Sequence, residues 1–303
     1  MSFSGMYNTQ GMLFLVMLLG LLLRKIHIIT NEGEKVLTDL VLFVTLPCSI
    51  LKSFQIELTE ELLETCGKIF LITILILLIS FLAGKAAFCF LPVPERRIME
   101  YASVVSNAGI LGNPVAEGIF GSLGLMYASV YAVPVRLYMW SFGLMCFTKV
   151  PDGKAFFKKT CTHPCIIAAV LGLVLLFFPI KIPEMLSMTI RNAAGANTFL
   201  SMVLVGTILA SVPLSSIGDK KAFYYSAVRL LLLPLFALLL CRAAGCGGTA
   251  QGVIVTLTGM PAGSTTAVLA EKYGCDAVLA TKCVVLSTVF SMITIPLWCL
   301  LLA

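Results

Sequence analysis

Charged residues are scarce in this sequence. Asp, Glu, Lys and Arg make up 12% of the 303 residues, whereas 59% are hydrophobic and the mean hydropathy is +1.01. Soluble domains carry about 25% charged residues, so this composition excludes a soluble domain of any size. A membrane-spanning helix needs about 20 apolar residues. The chain is therefore predicted to be an all-α polytopic membrane protein, with the lipid bilayer as its surroundings.

Histidine is scarcer still, with two residues, His27 and His163, both at predicted loops. A Ser–His dyad inside the bilayer would therefore lack its base. A G-x-S-x-G nucleophile motif is also absent. No convincing second aspartate faces Asp276 from another predicted span. The sequence predicts no catalytic residues, and an intramembrane enzyme is the least favoured class of function.

Most of the eleven cysteines lie in apolar runs, where a free cysteine behaves as a small hydrophobic residue. Cys161, His163 and Cys165 cluster, but a structural zinc site needs four ligands and no second pair follows. We therefore predict no metal site and no cofactor. The net charge of +6 forms no compact basic face, so a nucleic-acid partner is not expected.

Apolar runs and helix breakers predict ten spans. They cover residues 6–24, 35–55, 65–90, 98–122, 124–148, 163–180, 186–211, 220–241, 250–272 and 275–302. The first charges, Arg24 and Lys25, follow the first apolar run, which is unlike a secretory signal. When the loops are assigned to alternate sides, 13 of the 21 Lys and Arg residues fall on one side and five on the other. The positive-inside rule then places both termini outside the cell.

The two halves of the chain, residues 1–150 and 160–303, follow one plan. Pro114 and Pro261 are 147 residues apart, and each lies in an interrupted span. Arg136 follows Pro114 by 22 residues, and Lys282 follows Pro261 by 21. Because each half has five spans, an odd number, the halves must insert with opposite orientation. Two inverted five-helix repeats, each with a broken helix, are typical of secondary transporters.

The fourth span contains NAGILGNPVAEGIFG and the ninth contains TLTGMPAGSTT, with predicted breaks at 109–114 and 259–263. Unsatisfied backbone groups in hydrocarbon cost several kcal/mol each, so we expect the two breaks to cross and cover each other near the membrane midplane. The second half-helices would begin near Pro114 and Pro261, with Ser264, Thr265 and Thr266 as caps. Two helix N-termini would then form an anion site. The alternative is that glycine and proline merely kink packed helices.

Ionisable side chains within predicted spans are functional candidates. Arg136 and Lys282 would suit a dicarboxylate, or they form internal salt bridges, with Glu117 or Asp276 as partners for Lys282. Glu117 is either a coupling residue or a favourable charge in its own helix dipole. Arg229 is expected to pair within the bundle. Asn107 and Asn113 can contact a carboxylate, or they satisfy the broken backbone.

Several segments resemble the auxin efflux carrier family. Besides the Asn107–Gly121 stretch, they are LLGLLLRKIHIIT, LTDLVLFVTLPCSILKSF, VGTILA and AEKYGCDAVLATKCVVLSTVFSMITIP. The resemblance implies ten spans, a crossover of helices 4 and 9, a scaffold domain from helices 1, 2, 6 and 7, and a transport domain from helices 3–5 and 8–10. It implies elevator-type alternating access. With its short central loop, the chain resembles bacterial members that are associated with malate, malonate and similar carboxylates, whereas plant members export auxin.

The expected substrate-binding residues are Asn107, Asn113, Pro114, Pro261, Gly263, Ser264, Thr265, Arg136 and Lys282. Pro47, Asn197 and Thr198 would form the scaffold wall of the cavity, and Glu117 would couple transport to an ion. The expected partners are a small carboxylate, a proton or sodium ion and, by family analogy, a second copy in a homodimer. The expected location is the inner (plasma) membrane of a bacterium. A sodium-coupled organic-anion symporter of related fold is the nearest alternative.

Overall fold

The computed structural model describes residues 3–56, 59–140, 142–147, 162, 164–178, 182–210, 219–263 and 265–302. These residues are mostly helical, and the strand pairing among them is a single antiparallel bridge between Ser106 and Ala262. The helices are α1 (Phe3–Lys25), α2 (Asn31–Leu40), α3 (Leu46–Ser53), α4 (Glu60–Ala87), α5 (Val93–Val104), α6 (Asn113–Trp140), α7 (Phe142–Met145), α8 (Pro164–Phe177), α9 (Glu184–Ala210), α10 (Lys220–Ala227), α11 (Leu233–Ala243), α12 (Gly248–Thr258), α13 (Thr265–Lys272) and α14 (Ala277–Leu302).

Six helical stretches in the described part of the chain are long and apolar enough to cross a membrane. They are Asn31–Ser53, Glu60–Ala87, Ala108–Met139, Glu184–Ala210, Lys220–Ala243 and Ala277–Leu302. The predicted all-α polytopic membrane protein is therefore confirmed. The count of ten spans and their inverted-repeat arrangement stay predictions.

Both spans that were predicted to be interrupted are interrupted. The ninth breaks where expected, between the end of α12 at Thr258 and the start of α13 at Thr265. The fourth breaks earlier than predicted, because α5 ends at Val104 and Val105 is extended, with φ −92° and ψ 104°. The predicted break residues 109–112 are instead part of a π-helical turn, Ala108–Gly112, that leads into α6. Within α6, Gly121 has φ 69°, a left-handed conformation that favours glycine and separates two helical segments.

Three π-helical turns share one sequence feature. Val41–Thr45, Ala108–Gly112 and Val228–Leu232 each end two residues before a proline, respectively Pro47, Pro114 and Pro234. Proline has no N–H for the carbonyl four residues earlier, and its ring clashes with that carbonyl. A wider turn relieves the clash, which explains why the helix continues through these prolines.

Contacts divide the chain into two compact units. Unit 1 comprises residues 1–67, 109–130 and 161–212. Its helices α1 and α9 pack with their backbones in contact. A Cβ added to Gly20 would lie 2.2 Å from the Val203 carbonyl oxygen. A Cβ added to Gly206 would lie 1.9 Å from the Met17 carbonyl oxygen. The Phe54 ring, just after α3, packs directly against Gly172 of α8, where an added Cβ would lie 2.5 Å from it.

Unit 2 comprises residues 68–108, 131–160 and 213–303. Its core brings α5, α10 and α14 together with the residues that follow α4, through buried side chains that include Phe88, Met99, Tyr225, Leu279 and Cys283. The division into a scaffold and a transport domain is a separate, functional question and stays a prediction.

Candidate functional site

The two interrupted spans meet within unit 2. The Asn107 N–H donates to the Pro261 carbonyl at 2.8 Å, and the Gly263 N–H donates to the Val105 carbonyl at 3.1 Å. These bonds flank the Ser106–Ala262 bridge. Each break thus supplies partners for backbone groups that the other exposes, which apolar surroundings require. The two predicted breaks thus contact each other through their backbones, whereas a crossing at the membrane midplane stays a prediction. We call residues 105–107 and 259–263 the crossover.

A buried arginine fixes the ends of both helices that lead into the crossover. Arg229 is 1% exposed. Its Nη1 donates to the Ser103 carbonyl at 2.5 Å, and its Nε donates to the Met260 carbonyl at 2.9 Å. These carbonyls lie at C-terminal helix ends, where the helix dipole favours a positive charge. The expected pairing of Arg229 within the bundle is confirmed, but its partners are main-chain oxygens, which sequence reasoning did not identify.

Other side chains bind the same backbone. The Tyr225 hydroxyl donates to the Ala102 carbonyl at 2.8 Å, and the Ala262 N–H donates to the Ser287 hydroxyl at 3.1 Å. Tyr225 lies one helical turn before Arg229, which explains how one stretch of the eighth span reaches two carbonyls of α5. Neither Tyr225 nor Ser287 was predicted, because their roles depend on which helices become neighbours.

Helix α13 begins immediately after the crossover. The Thr265 hydroxyl lies 3.1 Å from the Tyr101 hydroxyl, and the buried Thr266 hydroxyl has no hydrogen-bond partner in the described chain. The prediction that Thr265 and Thr266 cap the helix is therefore wrong: Thr265 faces Tyr101 on α5, and Thr266 already lies within the first turn. Ser264, the third predicted cap and a predicted substrate contact, falls outside the described residues. Asn107, Pro261, Gly263 and Thr265 all lie at or beside the crossover.

Lys282 forms an ion pair that the sequence did not reveal. Its Nζ lies 3.1 Å from Oδ2 of Asp219, the N-cap residue of α10. The predicted alternatives, Glu117 and Asp276, are not the partners found. Partial burial acts to raise the pKa of Asp219, but hydrogen bonds from Lys282 and from the Lys221 N–H lower that pKa more strongly, so it lies below its ordinary value.

Arg136, the residue that occupies the matching place in the first half of the sequence, is partly buried in α6 of unit 2. It follows Pro134, which lies inside the helix. Its role in binding carboxylates stays a prediction.

A second group of predicted residues meets inside unit 1. Glu117 Oε2 accepts hydrogen bonds from Ser49 at 3.1 Å and from Thr198 at 3.4 Å. Asn197 Oδ1 accepts hydrogen bonds from Thr45 at 3.2 Å and from Ser201 at 3.4 Å. We call these six residues, with Asn113, the unit 1 polar cluster.

The unit 1 polar cluster has amide atoms with no partner in the described chain. Asn113 is 1% exposed, and neither its Oδ1 nor its Nδ2 has a hydrogen-bond partner. The Nδ2 of the fully buried Asn197 is in the same situation. The sequence singled out Asn113, Glu117, Asn197 and Thr198, and the structure assigns all four to unit 1, as it does Pro114 and Pro47. The sequence analysis did not identify Thr45, Ser49 and Ser201. Thr45 and Ser49 are spaced four residues apart on one helical face, which is the signal that could have revealed them.

Comparison with known proteins identifies the class of protein. A family model described as membrane transport protein matches residues 11–155 and again 153–299, which together span nearly the whole chain. The chain belongs to this family, the auxin efflux carrier family. The resemblance seen in the sequence is thereby confirmed, and the protein is a multi-pass membrane transporter.

Two archaeal relatives extend the comparison. The chain is 28% identical over 313 aligned residues to an uncharacterized transporter of Methanothermobacter thermautotrophicus, with 100% of both chains covered. It is 25% identical over 296 residues to an uncharacterized transporter of Methanocaldococcus jannaschii, with 94% of each covered. Full-length likeness to transporters supports transport as the class of function.

Proposed function

We propose that this protein is a secondary-active transporter of small organic anions, with malate- or malonate-like carboxylates or auxin-like acids as substrates. The observation that carries the proposal is the crossover of two interrupted spans in unit 2 of a chain from a transporter family. Irregular backbone at membrane depth is found where it is buried in protein or lines a cavity, and transporters bind substrates at such breaks.

The carboxylate-binding residues are Asn107, Gly263 and Thr265, beside Pro261 at the crossover. The first turn of α13 offers N–H groups at the positive end of a helix dipole, which suits an anion. The Thr266 hydroxyl, buried and without a partner in the described chain, supplies a further donor close to that turn. Ser264 belongs to the same proposal through the sequence motif that contains it, whereas substrate contacts of Asn113 and Pro114, which lie in unit 1, stay predictions.

Arg136 and Lys282 supply positive charge for a second carboxylate group. Lys282 is already paired with Asp219, so its contribution requires an exchange of partners during transport. Glu117 is the proposed coupling residue, and Pro47, Asn197 and Thr198 belong to a stationary wall. Alternating access is of the elevator type. The predicted third to fifth and eighth to tenth spans move, within a membrane-embedded homodimer.

A ligand screen on purified protein tests the substrate class. A ligand that binds the native state alone raises its apparent stability, by about 2.7 kcal/mol at a concentration of one hundred times Kd. We expect thermal stabilisation by dicarboxylates or by indole-acetate in buffer without sodium, and none by amino acids. Stabilisation by no organic acid would contradict the proposed substrate class.

The location of the site is tested by Gly263→Ala. The new Cβ would lie 3.3 Å from Thr265 Oγ1 and 3.4 Å from the Ser106 carbonyl oxygen, so it crowds the proposed site. We expect weaker carboxylate binding. Gly247→Ala is the matched control, because no heavy atom lies within 4 Å of its added Cβ. Equal carboxylate affinities in the two variants would place the substrate elsewhere.

A further inference from the structure

We propose that the unit 1 polar cluster binds a sodium-sized monovalent cation, with the Glu117 carboxylate as its charged ligand. The binding site is independent of the substrate, whereas its use as a coupling site rests on the proposed transport function.

The first argument is charge. Glu117 lies within the membrane-spanning stretch Ala108–Met139, and no Lys or Arg of the described chain lies within ion-pair distance of its carboxylate. The charge of Lys52, near the end of α3, acts on this carboxylate only from farther away. Its hydrogen-bond partners, Ser49 and Thr198, are neutral. An ionised carboxylate removed from water is costly unless a positive charge accompanies it. A bound cation would supply that charge.

The second argument is the kind of atoms present. The polar side chains of this cluster are one carboxylate, four hydroxyls and two amides, without histidine or cysteine. Oxygen ligands of this kind select hard cations such as sodium over soft transition metals. Because the cluster carries a single formal negative charge, a monovalent ion fits it better than calcium or magnesium, which recruit several carboxylates.

The third argument is the unused amide of Asn113. Asn113 precedes Glu117 by four residues, so both side chains lie on one face of α6. Its carbonyl oxygen is buried and has no hydrogen-bond partner in the described chain. Buried polar atoms without a partner require an explanation. A proton on Glu117 would neutralise its charge but leave the Asn113 oxygen without a partner. A cation could bind both the Glu117 carboxylate and the Asn113 oxygen.

The helices that carry the cluster fix its geometry. Thr45 lies at the end of the π-turn and Ser49 one turn later on α3, while Asn197, Thr198 and Ser201 share α9. The π-turn that Pro47 requires widens the helix at this depth, so the residues that flank it are displaced from ordinary helical positions. The site is thus built from three helices of unit 1.

The experiment measures sodium binding to the full-length purified protein in the absence of any carboxylate. Radioactive sodium binding and the melting temperature are followed as NaCl replaces choline chloride at constant ionic strength. We expect saturable sodium binding and a rise in melting temperature that choline does not produce. Equal melting temperatures in the two salts would overturn the proposal, as would stabilisation by acid pH alone.

Variants separate a ligand from a structural residue. Glu117→Gln should abolish sodium binding, and Ser49→Ala should weaken it about tenfold, a usual loss on removing a group that supports a metal site. Ser53→Ala is the matched control, because its buried hydroxyl lies on the same helix but bonds to the Ile50 carbonyl. Unchanged sodium affinity in a folded Ser49→Ala protein would contradict the proposal even if Glu117→Gln does not fold.

The proposed transport function is tested separately, by carboxylate binding in choline buffer. Sodium binding without carboxylate binding would retain the cation site and remove the substrate class. Carboxylate binding without sodium binding would retain the substrate class and remove the cation site.

Discussion

Arg229 donates from Nε to the Met260 carbonyl at 2.9 Å, and so joins the eighth span to the first residues of the crossover. The same guanidinium reaches the Ser103 carbonyl on α5. One buried cation therefore holds the ends of α5 and α12, which come from opposite halves of the sequence. This relationship makes Arg229 a positioning residue for the proposed carboxylate site.

Replacement of Arg229 by methionine should destabilise the protein. Two buried carbonyls would lose a partner, and each unsatisfied buried group costs about 1–3 kcal/mol. Arg229→Lys should recover part of the loss, because lysine keeps the charge but not the planar fork. Thermal melts in detergent measure the effect, with the exposed Arg242→Met as control. A melting temperature for Arg229→Met equal to that of the control would show that these bonds contribute nothing.

Trp298 repairs the hydrogen-bond defect that Pro234 creates. Its indole N–H donates to the Leu230 carbonyl at 2.8 Å, which is the carbonyl four residues before the proline. Trp298→Phe should therefore destabilise the protein by about 1–3 kcal/mol. In a Pro234→Ala background the alanine N–H can serve the same carbonyl, so the loss should be smaller. Equal losses in the two backgrounds, from a double-mutant cycle of unfolding free energies, would refute this explanation.

Gly206 permits the backbone contact between α1 and α9. Gly206→Ala should destabilise unit 1 by at least about 1–3 kcal/mol, the usual cost of overpacking, because its Cβ would lie 1.9 Å from the Met17 carbonyl oxygen. Gly195→Ala on the same helix is the matched control, since nothing lies within 4 Å of its added Cβ. This control should be neutral or slightly stabilising, because alanine favours helix. Melting temperatures that fall equally in both variants would contradict the close-contact argument.

Variants of the Lys282–Asp219 pair distinguish a role of Lys282 in substrate binding from a purely structural role. Lys282→Ala should weaken dicarboxylate binding, whereas Asp219→Asn, which frees the lysine, should leave it unchanged or strengthen it. The ion pair itself is partly exposed and should contribute at most about 1 kcal/mol to stability. Titration calorimetry on both variants decides, and equal losses of affinity would assign Lys282 a structural role.

The same ion pair predicts that the stability of the protein depends on pH. The pKa of Asp219 lies below its ordinary value of 3.8, so its contribution to stability is present above that value. It is lost as the pH falls through the lower pKa of the folded protein. The difference in melting temperature between wild type and Asp219→Asn should therefore be constant at neutral pH and shrink below about pH 4. A constant difference down to pH 2 would contradict the assignment.

The crossover shows how far sequence reasoning extends. Glycine, proline and polar residues in two apolar runs predicted two interrupted helices and their crossing, because broken backbone in a membrane must find partners in protein. The position of the break in the fourth span was wrong by several residues. Gly109 and Gly112 placed the predicted break at 109–114, but the helix ends earlier, at Val104, and Val105 and Asn107 bond to the Gly263 and Pro261 backbone.

The sequence by itself determined the membrane class, the family, the interrupted spans and the principal polar candidates, because hydropathy and helix-breaking residues act locally along the chain. The tertiary structure alone decided the partners. It paired Lys282 with Asp219, Arg229 with two carbonyls, and Glu117 with Ser49 and Thr198. These pairings join residues that are 31 to 126 positions apart, so they depend on which helices pack together, and no local pattern encodes that choice.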